Sequence, residues 1–369
     1  MLFALFVWVP VSAADVSTRL RVVPEYHDVN RSSEFFLPDA INPLPQQRSH
    51  QVLEIQSALK GFHMLGTLSN FVARHKKPEN DAVLNELYLD FSLANEDFSI
   101  GKKVMSWGVG FGFRPLDLLQ RENRRRLYQN TLEGVSLLAW EHFTRSGAVT
   151  LVYANPGAGN HADVIDDESF AFKYYQLLGD TDLQVVARWS EQNQWEAGGG
   201  FAQVVNDNLE WHGSLLYQQH YGQLQHRLLR TGGNTLLATS NPVEVHTAND
   251  GIKAVLGMSW TSMSGWSTLL EAWYDDTAYS KQQWRSIVKL TQQQRTLLGQ
   301  PGVPDTAVFG NIAWNSQVFS ASNWLRQNLL LRIAHNGETL DPALDLLYTP
   351  EDGGWVTTAT LGIEGNQQR

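Results

Sequence analysis

Along most of the chain, apolar and polar residues alternate with a period of two. From Val83 to Leu93, Val83, Leu87, Leu89, Phe91 and Leu93 share one face while Glu86, Asp90 and Ser92 share the other, as successive side chains of a β-strand do. The same rhythm sets Leu183, Val185, Ala187 and Trp189 against Gln184, Arg188 and Ser190, and Leu209, Trp211, Leu215 and Tyr217 against Glu210, His212, Ser214 and Gln218. Ala254, Leu256, Met258 and Trp260 oppose Lys253, Gly257 and Ser259, and Leu325, Leu329, Leu331 and Ile333 oppose Arg326, Asn328 and Arg332. Such strands run ~8–12 residues, longer than the usual soluble strand and close to the length that crosses a bilayer at a tilt. Their apolar faces often end in aromatics, Trp189, Tyr217, Trp260 and Tyr274, which suits the two membrane interfaces. Alternation alone also fits a soluble sandwich, whose apolar faces pack together.

The connectors separate the two cases better. Long or medium connectors alternate with short ones: a long segment to His50, a turn at Gly61–His63, a loop at His75–Asp81 and a turn at Ala94–Asp97. Gly108–Gly134, Asn155–Glu168, Asp276–Asp305 and Asn336–Pro342 are long or medium, with short turns at Arg145–Gly147, Gly179-Asp180, Asn206–Asn208, Ser262–Gly265, Ser320–Asn323 and Thr349–Gly354. Outer-membrane barrels have this asymmetry, with minimal turns at one rim and elaborated loops at the other. The count comes to about 17 strands, or about 19 with a further hairpin turning at Gly232-Gly233 inside Gln219–Asp250, and single-chain bacterial barrels have an even number. An odd count implies a missing closing strand after Trp355–Ile363, where the chain ends in Asn366-Gln367-Gln368-Arg369. The expected fold is all-β: one transmembrane antiparallel up-and-down β-barrel of about 18 strands, roughly 16–20.

Composition narrows the function. The 369 residues carry 28 Lys+Arg against 38 Asp+Glu, a net charge of −10, with 18% charged residues and 40 aromatics (16 Phe, 11 Tyr, 13 Trp). That is too aromatic and too sparsely charged for a disordered chain, and too acidic for a nucleic-acid binder. Absence of cysteine removes disulfides, thiolate metal sites and cysteine nucleophiles. A mean hydropathy of −0.28 excludes helical membrane spans but not a barrel, since half of every barrel strand is polar. At the N-terminus, Leu2–Pro10 is apolar and Val11-Ser12-Ala13 has the small-x-small pattern of a signal-peptidase site. Residues 1–14 therefore read as a signal peptide, though without the usual basic start. Residues 15–369 read as a single barrel domain with long extracellular loops at 25–49, 108–134 and 276–305.

The stretch Phe98–Asp117 (FSIGKKVMSWGVGFGFRPLD) contains Gly101-Lys102-Lys103 followed by Ser106-Trp107-Gly108. With the strand pattern, it resembles the strand-to-loop segment of Gram-negative outer-membrane β-barrels of the porin-like and alginate-export-like kind. The resemblance implies a passive or facilitated channel in the bacterial outer membrane, passing small hydrophilic solutes, surrounded by lipid and lipopolysaccharide, monomeric or homotrimeric, and not an enzyme.

Candidate site residues follow from that expectation. If Gly108–Gly134 folds into the lumen, Arg114, Arg121, Arg124, Arg125 and Arg126 form a constriction able to meet anions; if it stays outside, they form a solvated basic loop. Inward-facing Glu86, Asp90, Arg188, Glu210, Lys253, Glu271, Arg326 and Arg332 would line the wall with both signs of charge. His212-Gly213-Ser214 places a His and a Ser on one side of a strand, as in the outer-membrane phospholipase family. That family reads His-x-Ser-Asn-Gly, whereas Leu215-Leu216 follows here, and both side chains turn away from lipid, so no catalytic residue is assigned. Asn155–Asn160 contains Gly-x-Gly without a following helix and reads as a loop tip. The eleven histidines lack metal-ligand spacing, so no metal and no cofactor is expected. Lys281–Gln300 has helical spacing in Trp284, Ile287, Val288, Leu290 and Leu297. Two alternatives remain: a non-transport outer-membrane barrel (enzyme, adhesin or assembly component), and, more distantly, a secreted all-β carbohydrate-binding protein.

Overall fold

The computed structural model describes residues 15–26, 28–39, 41–42, 45–73, 76–120, 131–154, 167–230, 235–337 and 339–363. Sixteen strands follow one another: β1 (Asp15–Tyr26), β2 (Gln47–Leu59), β3 (Phe62–Ala73), β4 (Glu79–Leu93), β5 (Glu96–Lys103), β6 (Val135–Phe143), β7 (Gly147–Ala154) and β8 (Ser169–Leu178). The second half comprises β9 (Thr181–Ser190), β10 (Gln194–Asn206), β11 (Leu209–His226), β12 (Val243–Thr261), β13 (Trp266–Asp275), β14 (Gln327–His335), β15 (Leu340–Thr349) and β16 (Gly354–Ile363). Each pairs antiparallel with the next in a single up-and-down sheet, and among the described residues no ladder joins β16 to β1.

Sixteen lies at the lower end of the expected range, and the difference has two causes. Where alternation suggested a strand between 305 and 320, the chain forms the helix α3 (Asp305–Asn315) and a 3-10 turn at Ser316–Ser320; its number follows α1 (Arg227–Arg230) and α2 (Lys281–Arg295). Within Gln219–Asp250 there is no further described hairpin, because β11 and β12 continue through it and pair as far as His226 with Val243; Gly232-Gly233 lies outside the described residues. With an even count, the parity argument for another strand no longer applies.

One rim carries only turns of two to four residues, at 60–61, 94–95, 144–146, 179–180, 207–208, 262–265 and 336–339. Lys60 and Gly61 (φ 46° and 82°) and Ala94 and Asn95 (φ 54° and 66°) are left-handed in pairs, the geometry of two-residue hairpin turns whose twist matches the strands. The opposite rim carries 27–46, 74–78, 104–134, 155–168, 191–193, 227–242, 276–326 and 350–353. Without the strand expected between 305 and 320, Ser320–Asn323 falls inside the last long connector, the connector expected to be medium at Asn336–Pro342 becomes a turn of the short rim, and the short one at Thr349–Gly354 lies on the long rim.

The two faces of the sheet are inverted relative to a water-soluble domain. Leu215, Val185 and Leu256 point outward, 56%, 54% and 53% exposed, while Arg188, Glu196, Gln218 and Glu271 are buried on the concave side. A soluble protein would place these the other way, since charged groups are almost never fully buried unless paired.

Three details correct the expected facing. Val83 is on the inner face: a bulge places Asn85 as an extra residue between Leu84 (opposite Gly66) and Glu86 (opposite Leu65), so Leu84 takes the outer face instead. Leu325 precedes β14 and is buried with Tyr279 and Val318. The inner wall is not uniformly polar either. Val135, Leu137 and Ala139 of β6, Val152 and Ala154 of β7, Ala171, Val186 and Leu216 form one apolar cluster with Trp107, Leu116, Leu118 and Leu119, so an inward segment covers this part of the wall.

Candidate functional site

That segment begins at β5. Gly101 is left-handed (φ 128°), and a Cβ there would lie 2.3 Å from the Leu87 carbonyl oxygen, so only glycine fits at this point of the strand. Lys102 pairs with Glu133. Lys103 Nζ reaches Asp90 at 2.9 Å and Ser99 at 2.8 Å and lies 4.7 Å over the Tyr88 ring.

Beyond Lys103 the chain crosses the concave side, tied at each step. The Val104 amide donates to Glu86 Oε1 (2.9 Å) and the Met105 amide to Gln120 (3.1 Å). Asn85 Nδ2 donates to the carbonyls of Thr131 and Leu132, both at 3.1 Å, so the bulge that reorients Asn85 also provides an anchor. Thr131 donates to Glu54. From β9, Gln184 Nε2 donates to the Trp107 carbonyl at 2.6 Å. Leu116 packs over Gly198 and Gly200, where added Cβ atoms would come within 2.9 and 3.1 Å of it.

The tip of the segment is fixed to the far wall. Glu271 of β13 accepts the amides of Phe111 (2.5 Å) and Gly112 (2.6 Å), and His212 Nε2 lies 2.8 Å from its Oε1. A Cβ on Gly112 would fall 2.8 Å from Leu330 and 3.1 Å from Glu271. Behind the tip, Asp117 accepts the Trp107 amide (2.6 Å), the Gly108 amide (2.7 Å) and the Ser106 hydroxyl (2.9 Å). Burial pushes the Asp117 carboxyl above its ordinary range; these donors and Arg114 oppose that shift without cancelling it.

A second body, built on the 276–326 connector, sits at the mouth. Helix α2 starts at a capping box between Ser280 and Gln283, as the spacing of Lys281–Gln300 predicts. Asn315 of α3 donates to Thr291 (2.8 Å) and Gln294 (2.7 Å) of α2, and Asn311 donates to the Ala238 carbonyl (3.1 Å). Residues of the β1–β2 connector reach this body: Phe35 stacks on Trp284 at 6.0 Å and Arg295 donates to the Phe36 carbonyl at 3.1 Å. A contact between the β1–β2 and β13–β14 connectors requires the sheet to curl until its two ends approach each other.

Between the inward segment and the mouth lies a cavity of about 370 Å3. Arg114, Asp117 and Phe113 line it from the segment, Glu196, Lys253 and Asp275 from the wall, and Tyr279, Asn323 and Trp324 from the mouth. Lys253 Nζ is 4.0 Å from Asp275, which also accepts Thr277 Oγ1 (2.6 Å) and Asn323 Nδ2 (2.8 Å). Glu196 pairs with Arg188 and accepts Gln218. Burial pushes the Tyr279 phenol up to about 12.

The sequence-predicted residues fall into three groups. Arg114 and Lys253 line the cavity, and Arg188 is one pair away from it. Glu86 and Glu271 hold the inward segment, while Arg332 pairs with Asp345 (2.7 Å) and lies 5.3 Å over the Phe111 ring. Asp90 pairs with Lys103, Glu210 approaches His212 Nδ1 at 3.6 Å, and Arg326 pairs with Asp276 at 3.0 Å on the connector before β14. Arg121, Arg124, Arg125 and Arg126, Asn155–Asn160, residues 1–14 and the last six residues lie outside the described residues. His212 and Ser214 are not hydrogen-bonded to each other; the imidazole is engaged by Glu271 instead. Among the described residues no cluster of His, Asp and Glu could hold a metal ion. Sequence reasoning missed Asp117, Glu196, Asp275, Asn323 and Tyr279. Of these, Glu196 was accessible, since it sits directly across from Arg188 in the register of β9 and β10.

No family model matches the chain, and no curated protein does. Among solved structures it is similar to porins of Rh. blastica. One multiply substituted form has 10% identity and a TM-score of 0.45, and another has 9% and 0.44; the alignments cover 94% of this chain and 98% of each porin. A chain described as "Asymmetric conductivity of engineered proteins" aligns over the same shares with 11% identity and a TM-score of 0.43.

Proposed function

We propose that the chain is a porin-like channel of the bacterial outer membrane, through which small hydrophilic solutes diffuse down their gradient. The observation that carries this reading is the inversion of faces. A belt of outward Leu, Val, Ile and aromatic side chains needs a hydrocarbon surrounding, and only closed strand arrangements satisfy every backbone group there. The buried Gln, Lys, Arg and Glu of the concave side need water or one another. The inward segment and the mouth body narrow the route without lining it entirely with apolar groups, which supports passage of polar solutes. In this reading the long-loop rim faces the outside, where lipopolysaccharide surrounds it, and residues 1–14 direct export. The test is single-channel recording in planar bilayers with purified protein, alongside fractionation. Stepwise conductance and recovery in the membrane fraction are expected. Recovery wholly in a soluble fraction, or a bilayer that stays silent, would overturn the reading.

A further inference from the structure

Every charged group that lines the cavity has an opposite charge beside it. Lys253 faces Asp275, Glu196 is paired with Arg188, and Arg114 and Asp117 meet at one hydroxyl, since Ser106 Oγ accepts from Arg114 Nη1 (2.9 Å) and donates to Asp117 (2.9 Å). Two cations and three anions line the cavity itself; Arg188, buried behind Glu196, supplies the third cation, so the paired groups together sum to zero and neither sign dominates. A site built for an anion or a cation presents a surplus of the opposite charge. Neutral pairs instead offer fixed donors and acceptors side by side, which suits hydroxyl groups because each both donates and accepts. The rest of the lining agrees. Tyr279 contributes a hydroxyl with no partner among the described residues, and Ser322 a further hydroxyl, while Phe113, Trp324 and the Tyr279 ring supply apolar faces. A volume of about 370 Å3 lies within the ~300–1,000 Å3 typical of small-molecule sites.

We propose that this chamber binds a neutral polyhydroxylated solute, a mono- or disaccharide, held by hydrogen bonds from the paired charges and by contact of its C–H faces with the aromatic rings. The chamber rests on the channel reading for its role in transport, but not for its binding.

The experiment uses the full chain in planar bilayers with sucrose as probe and with gluconate and glucosamine as its anionic and cationic counterparts. Sucrose is expected to reduce the current saturably. Its half-block concentration should change less than about twofold between about 0.1 and 1 M salt, because screening acts on charges and not on neutral solutes. Tyr279→Phe should raise that concentration by about three- to tenfold, the loss of one hydrogen bond. Stronger block by gluconate or glucosamine that fades with salt would overturn the proposal in favour of a charged ligand. Conductance without sucrose block would overturn it while leaving the channel reading intact. Calorimetric titration of sucrose into the detergent-solubilised protein separates the remaining cases: binding without conductance upholds the chamber and overturns the channel, and neither binding nor conductance overturns both.

Discussion

The tip of the inward segment hangs on one carboxylate, and Glu271→Ala is the perturbation that shows it. Glu271 is fully buried and accepts three donors, the amides of Phe111 and Gly112 and His212 Nε2. Hydrogen bonds to a charged acceptor are worth ~1.5–3 kcal/mol each, but their losses are not additive, and stripping one partner from a buried charged network costs ~3–5 kcal/mol. Part of that cost is recovered when the two orphaned amides turn to water, and this requires residues 110–114 to leave the wall. If about 3 kcal/mol of latch energy is lost, the population with the tip released rises by roughly 100-fold.

The natural chain has no cysteine, so a single Leu116→Cys makes a clean reporter. Leu116 is wholly inaccessible, and it is reached by a maleimide only when the segment lifts. Where opening is fast relative to reaction, the labelling rate follows the open population. Leu116→Cys with Glu271→Ala should therefore label about 100-fold faster than Leu116→Cys alone, and the single-channel conductance should increase as the lumen widens. Glu271→Gln keeps one carbonyl for one amide but turns an NH2 toward the other, so it should fall between. Equal labelling rates in all three proteins, with unchanged conductance, would refute the idea that Glu271 holds the segment.

Three further outcomes follow from other parts of the molecule. Leu256→Arg puts a charge on the outer face at a residue 53% exposed; in lipid vesicles it should destabilise the folded chain by ~2–4 kcal/mol in urea titrations, whereas an outer face bathed in water would leave stability unchanged. Gly101→Ala drives a Cβ against the Leu87 carbonyl at 2.3 Å in a left-handed backbone and should cost at least ~1–3 kcal/mol, read as a lower yield of refolded protein; normal refolding would show that the backbone at Gly101 is adaptable. Burial raises the Asp117 carboxyl, so the folded state binds that proton more tightly than the unfolded chain and stability must rise as pH falls through the raised value. Wild type should gain on Asp117→Asn as pH is lowered from neutral toward the ordinary carboxylate range, and a constant or reversed difference would contradict the burial of Asp117.

Most of the strands were legible because an antiparallel strand with one face in each environment imposes period two on its own sequence. Helix α2 was legible for the same kind of reason, with Ile287 and Leu290 buried among charged positions. Helix α3 was not, because its buried stripe is Val308, Asn311, Ile312 and Asn315, and the two asparagines on that stripe hide the helical period in a stretch of otherwise small and apolar residues. The bulge at Asn85 was hidden too: Val83 and Leu84 are both apolar, so nothing in the pattern shows which one faces out. The inward segment left the faintest trace. Its anchors are backbone amides, and Phe111 and Gly112 lie 160 and 159 residues from Glu271, a pairing that side-chain patterns do not encode.

That last point changes what an inward charge means. Alternation places Glu86, Glu271, Arg188, Lys253 and Arg332 on the lumen side and invites reading them as a selectivity field. The acidic wall residues Glu54, Glu86 and Glu271 instead accept donors of the inward segment, and Asp90, Glu196 and Asp345 are matched across the sheet by Lys103, Arg188 and Arg332. A carboxylate already saturated by amides or a guanidinium projects little field toward a passing solute, because its charge is offset within a few ångströms. Neutralising Glu86 should then act on conductance through the position of Val104 and the segment behind it, changing pore size for neutral and charged solutes alike. If Glu86→Gln shifted only the ratio of cation to anion permeability and left the size cut-off for neutral sugars untouched, the carboxylate would be a selectivity charge after all, and the structural role assigned to the acidic wall would fail.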